Sequence, residues 1–157
     1  MRRKHRQEKE YEPDLVYKEP SVTRFINYLM KDGKKTMAQK VMYKALDIIK
    51  EKTKKDPVSV FKIAIENASP ELELITRRIG GANYQIPRPV PDYRKTTLAS
   101  KWIIQFSRAK KGKPMAEKLA EELIAAYQNE GLAIKKKADT ERMAEANKAF
   151  ASLARRL

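Results

Sequence analysis

Three short segments carry residue types that could do catalytic chemistry, and each lacks a partner that the chemistry needs. His5 is the only imidazole and lies in a basic N-terminal stretch, so a histidine-dependent triad or metal site has little support. Residues 33–36 (GKKT) resemble the end of a phosphate-binding loop, but Tyr28 stands where that motif needs its first glycine. Glu121 and Glu122 are adjacent on a predicted helix and point in different directions, which predicts solvated charges. The sequence thus predicts no enzyme activity, no metal ion, no cofactor and no small-molecule substrate.

Clusters of lysine and arginine are the strongest chemical signal in the chain. The 157 residues include 35 Lys and Arg against 20 Asp and Glu, a net charge of +15. Such an excess favours nucleic acid as the partner, well ahead of an anionic membrane surface. The clusters fall mainly on predicted turns, the N-terminal tail and a predicted hairpin, and loops around a rigid core can converge on one polyanion. The candidate phosphate-binding residues are Arg2, Arg3, Lys4, Arg6, Lys9, Lys34, Lys35, Arg77, Arg78, Arg94, Lys95, Lys101, Arg108, Lys110, Lys111, Lys113, Lys135, Lys136 and Lys137.

Residues 72–90 form the one credible β-hairpin in an otherwise helical sequence. Gly80 and Gly81 lie between runs rich in branched and aromatic residues, the composition of two strands that meet at a tight primed turn. Pro87 and Pro89 then fall at positions that donate no ladder bond, although a four-residue loop of the same parity satisfies them equally. Because prolines strip the outer edge of donors, we expect a two-stranded arm. The predicted pairs are Ile79–Ala82, Arg77–Tyr84, Ile75–Ile86, Leu74–Pro87 and Leu72–Pro89.

Six helices are predicted from apolar residues spaced by three and four. The first starts near Val22 with Ser21 as its N-cap, and the third starts with Asp56 as its N-cap followed by Pro57. The second carries the clearest apolar stripe, formed by Ala38, Val41, Met42, Ala45, Leu46 and Ile49.

The C-terminal half contains the other three predicted helices. The fourth ends near Ala109 and buries an apolar face formed by Leu98, Trp102, Ile103 and Phe106, and the fifth ends at Gly131. Residues 132–138 are interpreted as a basic linker. Asp139 is predicted to cap a last helix whose apolar face is Met143, Ala146, Phe150 and Leu153.

The predicted fold is mainly α, a six-helix bundle-like body with one protruding two-stranded β-hairpin arm. The whole chain, 1–157, is expected to form a single RNA-binding domain. Within it we expect a basic extension at 1–18 that orders only on a partner, the arm at 72–90, and a basic linker and C-terminal helix at 135–157. The chain contains no cysteine and no long apolar run, which predicts a soluble cytoplasmic protein.

Several motifs in this sequence resemble those of the bacterial small-subunit ribosomal protein seven family, almost from end to end. The hairpin and C-terminal motifs are long and specific. The matching segments are residues 13–17 (PDLVY), 32–35 (DGKK), 77–87 (RRIGGANYQIP), 135–137 (KKK) and 141–147 (ERMAEAN).

The resemblance implies a protein of the ribosome that binds the head, or 3′ major, domain of 16S ribosomal RNA and nucleates its assembly. It implies that the arm and the last helix lie at the exit site near messenger RNA and transfer RNA, with ribosomal proteins nine and eleven as neighbours. It also implies that Lys34, Lys35, the N-terminal arginines and the Lys110–Lys113 turn contact ribosomal RNA. The residues implied to lie near the exit site are Gly80, Gly81, Ala82, Tyr84, Arg142 and Asn147.

Three other classes of protein are weighed against this one. A DNA-bending architectural protein also joins a helical body to a basic, proline-bearing β-arm. An RNA-modifying or RNA-cleaving enzyme would need a base, nucleophile or metal constellation, which the sequence lacks. A protein scaffold would use the charge for solubility alone and would bind no structured RNA.

Overall fold

The computed structural model describes residues 11–151, in which the chain forms six helices and one two-stranded antiparallel hairpin. This confirms the predicted mainly α class with a hairpin arm. No helix in the described part is both long and apolar enough to cross a membrane. The elements are α1 (Pro20–Leu29), α2 (Lys35–Thr53), α3 (Pro57–Asn67), β1 (Leu72–Ile79), β2 (Ala82–Pro89), α4 (Asp92–Ala109), α5 (Met115–Tyr127) and α6 (Leu132–Ala146).

The core lies where α5 packs against α2, α3 and α4. The predicted stripe of α2 is confirmed, because all its members except the partly buried Val41 are buried. Phe25 of α1 and Phe61 of α3 meet edge to face, with ring centroids 5.2 Å apart. These helices form the rigid body that carries the exposed basic residues.

Two helix starts test the predicted caps. α3 begins as predicted, because Asp56 Oδ2 accepts a hydrogen bond from the Ser59 N–H at 2.8 Å and Pro57 follows it. The prediction that Ser21 caps α1 is wrong. Glu19 is the N-cap and makes no side-chain cap bond, while Pro20 occupies the first turn, where its fixed φ suits a helix.

The hairpin has the predicted register at every pair that the prolines constrain. Leu74 pairs with Pro87 and Leu72 with Pro89. The Val90 N–H donates to the Glu71 carbonyl at 2.9 Å, which continues the predicted alternation of hydrogen-bonded and non-hydrogen-bonded pairs. Gly80 and Gly81 both have positive φ, as a primed turn requires. The base of the arm is buried at Ile86 and Val90, and α6 packs along β1. The body therefore supports the arm.

The predicted buried face of α4 is only partly correct: Ile103 is buried, and Trp102 and Phe106 pack against the edge of the core. The buried residues are Ala99, Ser100, Ile103, Ile104 and Ser107, while Leu98, Trp102 and Phe106 are only partly buried. α4 packs against α1, α3, α5 and α6 at once, and small residues let these helices approach closely. Ser107 donates its hydroxyl to the Ile103 carbonyl at 2.7 Å, so the buried oxygen is satisfied without another helix.

The predicted linker at 132–138 is helical. α6 starts at Gly131, which is its N-cap, and Asp139 lies mid-helix instead of capping it. The buried residues are Ala133 and Ala144, whereas Met143, Ala146 and Phe150 are exposed, so the predicted face is also wrong. Leu153 lies outside the described residues. Lysine and alanine are good helix formers, and the run of lysines gives no reason to interrupt the helix.

Residues 11–18 do not form the tail that we predicted for the first eighteen residues. Asp14 is buried, and its Oδ2 accepts hydrogen bonds from the N–H groups of Val16 and Tyr17 at 3.1 and 3.2 Å. The Tyr43 hydroxyl of α2 donates to Asp14 Oδ1 at 2.8 Å. This part of the extension is therefore fixed to the body.

The revised face of α4 predicts how substitutions change stability. Ile103→Ala should lower the free energy of unfolding by about 2–5 kcal/mol, because Ile103 is fully buried and its loss leaves a cavity. Gln105→Ala on the exposed side of the same helix should stay within about 0.5 kcal/mol of the natural protein. Urea denaturation monitored by circular dichroism measures both. Equal losses would contradict the assigned face.

The Asp56 cap predicts a pH dependence of stability. Hydrogen bonds from the Ser59 hydroxyl and backbone N–H hold the pKa of Asp56 below its ordinary value. A carboxyl whose pKa is lower in the folded state stabilises the fold above about pH 4, and this contribution is lost as the pH falls through the folded pKa. Asp56→Asn keeps a capping side chain but cannot titrate. The stability difference between the natural chain and the variant should therefore be constant above about pH 5 and shift toward the variant at lower pH. A pH-independent difference would contradict this.

Candidate nucleic-acid interface

A hydrogen-bonded network joins the exposed edges of α1 and α4. The Arg24 guanidinium donates to the Tyr28 hydroxyl at 3.2 Å, to Thr97 Oγ1 at 2.9 Å and to the Tyr93 carbonyl. The hydroxyls of Tyr28 and Thr97 lie 3.0 Å apart and share a further hydrogen bond. The ring centroids of Tyr11 and Tyr28 lie 5.8 and 6.0 Å from the Arg24 guanidinium carbon. The network holds the Arg24 cation beside the rings of Tyr11 and Tyr28.

The same network shifts the ionisation of Tyr28. Partial burial pushes the pKa of Tyr28 upward, but hydrogen bonds with Thr97 and Arg24, together with the Arg24 charge, outweigh it. The pKa of Tyr28 therefore lies below its ordinary value. The cause is geometric, because the Arg24 guanidinium lies 3.2 Å from the phenol oxygen.

The two helices that form this network carry few acidic residues. α1 contains no acidic residue, and the only one in α4 is Asp92, which pairs with Lys95 at 3.1 Å. The exposed edge of α4 carries Lys101 and Arg108, and Tyr93 is 53% exposed. We call the surface formed by Arg24, Tyr28, Tyr93, Lys101 and Arg108 the α1–α4 seam. Cations beside exposed aromatic rings are the features that bind phosphates and stack on bases.

Several predicted phosphate-binding residues have partners inside the protein. Arg94 pairs with Glu73 at 2.6 Å, and Lys113 pairs with Glu121. Arg108 donates to the Leu29 carbonyl at 2.9 Å, at the C-terminal end of α1. These contacts position helices and the base of the arm. They do not exclude a simultaneous phosphate contact by the exposed part of each side chain.

Glu122 is the clearest departure from the sequence prediction. It is 1% exposed, so the prediction that it is a solvated charge is wrong. Its Oε1 accepts the Ala133 N–H at 3.0 Å in the first turn of α6, and its Oε2 pairs with Lys110 at 2.8 Å. The carboxylate therefore connects α5, the start of α6 and the turn after α4.

The three consecutive lysines of α6 have different environments. Lys137 is partly buried and donates to the Asn67 carbonyl at 2.9 Å, while the Asn67 side chain donates to the carbonyls of Ala126 and Tyr127. Lys137 thus links α6 to the C-terminal ends of α3 and α5. Lys135 and Lys136 are exposed.

Eight of the predicted basic residues are exposed and make no ion pair or side-chain hydrogen bond within residues 11–151. Arg77 and Arg78 are among them, and they point to opposite faces of the arm because they are consecutive in β1. The five candidates before Tyr11 lie outside the described residues. The eight are Lys34, Lys35, Arg77, Arg78, Lys101, Lys111, Lys135 and Lys136.

The predicted exit-site residues fall on two surfaces that touch each other. Gly80, Gly81 and Ala82 form the tip of the arm, while Arg142 and Asn147 lie at the end of α6. Arg142 pairs with Asp139 at 2.8 Å, and the Asn147 side chain donates to the Met143 carbonyl at 3.0 Å. Tyr84 and Phe150 join the arm to the C-terminal segment, with ring centroids 5.4 Å apart. The Tyr84 ring thus has a packing role that sequence reasoning missed.

Sequence reasoning also missed Arg24, Tyr28 and Tyr93. The available signal was the spacing of Arg24 and Tyr28, which places them on one face of a helix without acidic residues. Their role depends on Thr97 and the Tyr93 carbonyl, which lie about seventy residues away in sequence. Only the packing of α1 on α4 brings them together.

This basic, aromatic surface on a helical body with a β-arm agrees with the comparison to known proteins. The family model described as Ribosomal protein S7p/S5e matches residues 1–148. The chain belongs to this family. It is similar to small ribosomal subunit protein uS7 of Thermotoga maritima, which is 58% identical over 151 residues, 96% of this chain and 97% of the relative. The proteins of the same name from Fervidobacterium nodosum and Kosmotoga olearia are 57% and 52% identical over the same shares.

Membership of this family confirms the resemblance found in the sequence. The chain is a structural component of the ribosome and not an enzyme. Ribosomal RNA is therefore its partner. The alternatives of a DNA-bending protein, an RNA-processing enzyme and a protein-only scaffold are set aside by the same finding.

The Glu122 contacts predict different effects for two neighbouring lysines. Lys110→Ala should lower the free energy of unfolding by about 3 kcal/mol, the lower end of the range for breaking a buried ion pair, because Lys110 itself keeps some contact with water. Lys111→Ala should change it by less than about 0.5 kcal/mol, because Lys111 is exposed. Thermal and urea unfolding measure both. Equal effects would show that Glu122 does not depend on Lys110.

Proposed function

We propose that this chain is a constituent of the small ribosomal subunit that binds the head, or 3′ major, domain of 16S ribosomal RNA and nucleates its assembly. Its arm and C-terminal surface then lie at the exit site, near messenger RNA and transfer RNA. Ribosomal proteins nine and eleven are its proposed neighbours on the cytoplasmic ribosome. The relatives' shared name, which assigns them to the small subunit, supports this proposal.

The observation that carries the proposal is the distribution of exposed cations without internal partners in the described part of the chain. They lie on the start of α2, on the arm, on α4 and the turn that follows it, and on α6. A surface spread over so many elements fits a folded RNA better than a single extended strand. The body holds these elements in fixed relative positions, so the RNA must match their arrangement.

The proposed recognition relies on shape, phosphates and 2′-hydroxyls. Lysines and arginines on the body supply phosphate contacts, which position the protein without reading sequence. The seam adds Tyr93, whose exposed ring can stack on an unpaired base. Tyr28 and Thr97 supply hydroxyl groups at the same surface, where they can bond to a ribose hydroxyl.

The arm contributes a smaller part of the affinity in this proposal. Its two faces carry one arginine each, Arg77 beside Tyr84 and Arg78 beside Asn83. The face with Tyr84 contacts Phe150, which leaves the face with Arg78 and Asn83 open. We propose that the open face and the tip approach the exit-site RNAs.

The proposal is tested by footprinting 16S ribosomal RNA and by measuring the affinity for it at several salt concentrations. Chemical footprinting with and without the protein should show protection concentrated in the head domain. The affinity should fall steeply with salt, and replacing Arg78 and Lys101 by alanine should reduce the slope of log K against log salt by about 2, because each phosphate contact contributes roughly 0.9. Both residues are exposed, so the melting temperature should not change.

Lys50→Ala with Lys52→Ala is the matched control. These two lysines are exposed in the last turn of α2 and do not belong to the candidate set. Their removal lowers the net charge equally but should leave the slope unchanged. An equal decrease in both double variants would show a nonspecific effect of net charge. Protection spread over the whole RNA would contradict the assignment to the head.

A further inference from the structure

The turn at residues 14–17 holds two apolar side chains in water. Leu15 is 89% exposed and Val16 is 61% exposed, more than any other large apolar residue in the described part of the chain. A single exposed leucine would mean little, since much of any protein surface is apolar. These two are adjacent, and the protein fixes the backbone that presents them.

Asp14 fixes that backbone from inside the protein. Its carboxylate, only 5% exposed, accepts the N–H groups of Val16 and Tyr17. The Lys18 N–H closes the turn on the Asp14 carbonyl at 2.9 Å. These contacts hold the backbone of residues 14–17 in one conformation.

A second layer of contacts attaches the turn to α2. The Tyr43 hydroxyl donates to both oxygens of Asp14, at 2.8 and 3.0 Å, and the Tyr17 and Tyr43 ring centroids lie 5.9 Å apart. Burial and the bond to Asp14 raise the pKa of Tyr43 to about 12, so it stays a donor at neutral pH. The turn is thus rigid before any partner binds, which reduces the conformational entropy that binding would cost.

We infer that Leu15 and Val16 form an apolar contact with the ribosomal RNA, against base or ribose faces beside the phosphates that the basic residues bind. This rests on the proposed function. It adds a nonelectrostatic contact surface to an interface otherwise described by charge and stacking.

The location of the turn favours RNA as the partner. Tyr11 contacts Arg24 of the α1–α4 seam. Leu15 follows Tyr11 by four residues, so the Cα atoms of Tyr11 and Leu15 are at most about 14 Å apart. This distance equals about four nucleotide steps along one strand at roughly 3.4 Å each. An RNA strand that runs from the seam past Tyr11 is therefore long enough to reach the turn within a few nucleotides. The five basic candidates that precede Tyr11 in the sequence, from Arg2 to Lys9, carry the charge that attracts the same polyanion.

The test compares the salt dependence of RNA binding by full-length variants. The probe is a transcript of the 16S 3′ major domain. Leu15→Ser with Val16→Ser should weaken binding by about 10–100-fold at fixed salt, because two apolar side chains lose their burial. The slope of log K against log salt should not change, since neither side chain neutralises a phosphate. The melting temperature should also stay the same, because both side chains are exposed in the free protein.

Leu15→Met with Val16→Ile is the matched control, since it keeps the apolar character and should bind like the natural chain. Equal affinity of the serine variant and the natural chain would overturn the inference. A protein would then be the favoured partner of the turn. A decreased slope or melting temperature in the serine variant would overturn it too, because the residues would then act through phosphate contacts or the fold. If the natural chain itself fails to bind the transcript, the proposed function fails as well.

Discussion

One buried carboxylate determines how the C-terminal third of the protein is arranged. Glu122 on α5 receives the first-turn N–H of α6 and the ammonium of Lys110, so it satisfies a helix N-terminus and an ion pair together. Gly131 precedes α6 with a φ of +94°, which favours glycine, and a Cβ there would lie 3.1 Å from Glu122 Oε1. Because α6 packs along β1, this anchor is one of the contacts that support the arm. The C-terminal surface depends on it too.

Some local constraints were predictable from the sequence, although the caps predicted at Ser21 and Asp139 were wrong, and long-range constraints were not predictable. The hairpin register follows from two glycines and the missing donors of Pro87 and Pro89, which act over a few residues. The cap of α3 is local in the same sense. In contrast, the buried face of α4 is centred on Ala99, Ile103 and Ser107 because neighbouring helices approach it closely. Sequence reasoning favoured the larger Leu98, Trp102 and Phe106, since it scores residue size and cannot see the neighbours. Glu122 was misassigned for the same reason, because its partners become apparent only in the folded chain.

The candidate site shows the same division. Composition indicated a polyanion, and exposed cations such as Lys101 and Lys136 lie where a partner can reach them. Charge alone could not separate them from Lys110 and Lys137, which serve the fold through Glu122 and the Asn67 carbonyl. A count of basic residues therefore does not separate cations that serve the fold from those left free for phosphate contacts. The seam escaped notice because Arg24 is an isolated cation in the sequence and gains its aromatic and hydroxyl neighbours only from tertiary packing.

Rigid presentation explains why so many weak contacts can add up in this protein. Each exposed lysine contributes little by itself, and a flexible chain would lose much of that contribution in ordering its backbone. Here the arm is supported by Ile86, Val90 and the Tyr84–Phe150 contact, and the seam by the Arg24 network. These contacts hold the arm and the seam in place in the folded protein, so under the proposed function the loss of entropy on binding would fall mainly on side chains and on the RNA. A folded RNA that matches their fixed spacing gains all contacts together, whereas one that does not match can form only a few of them.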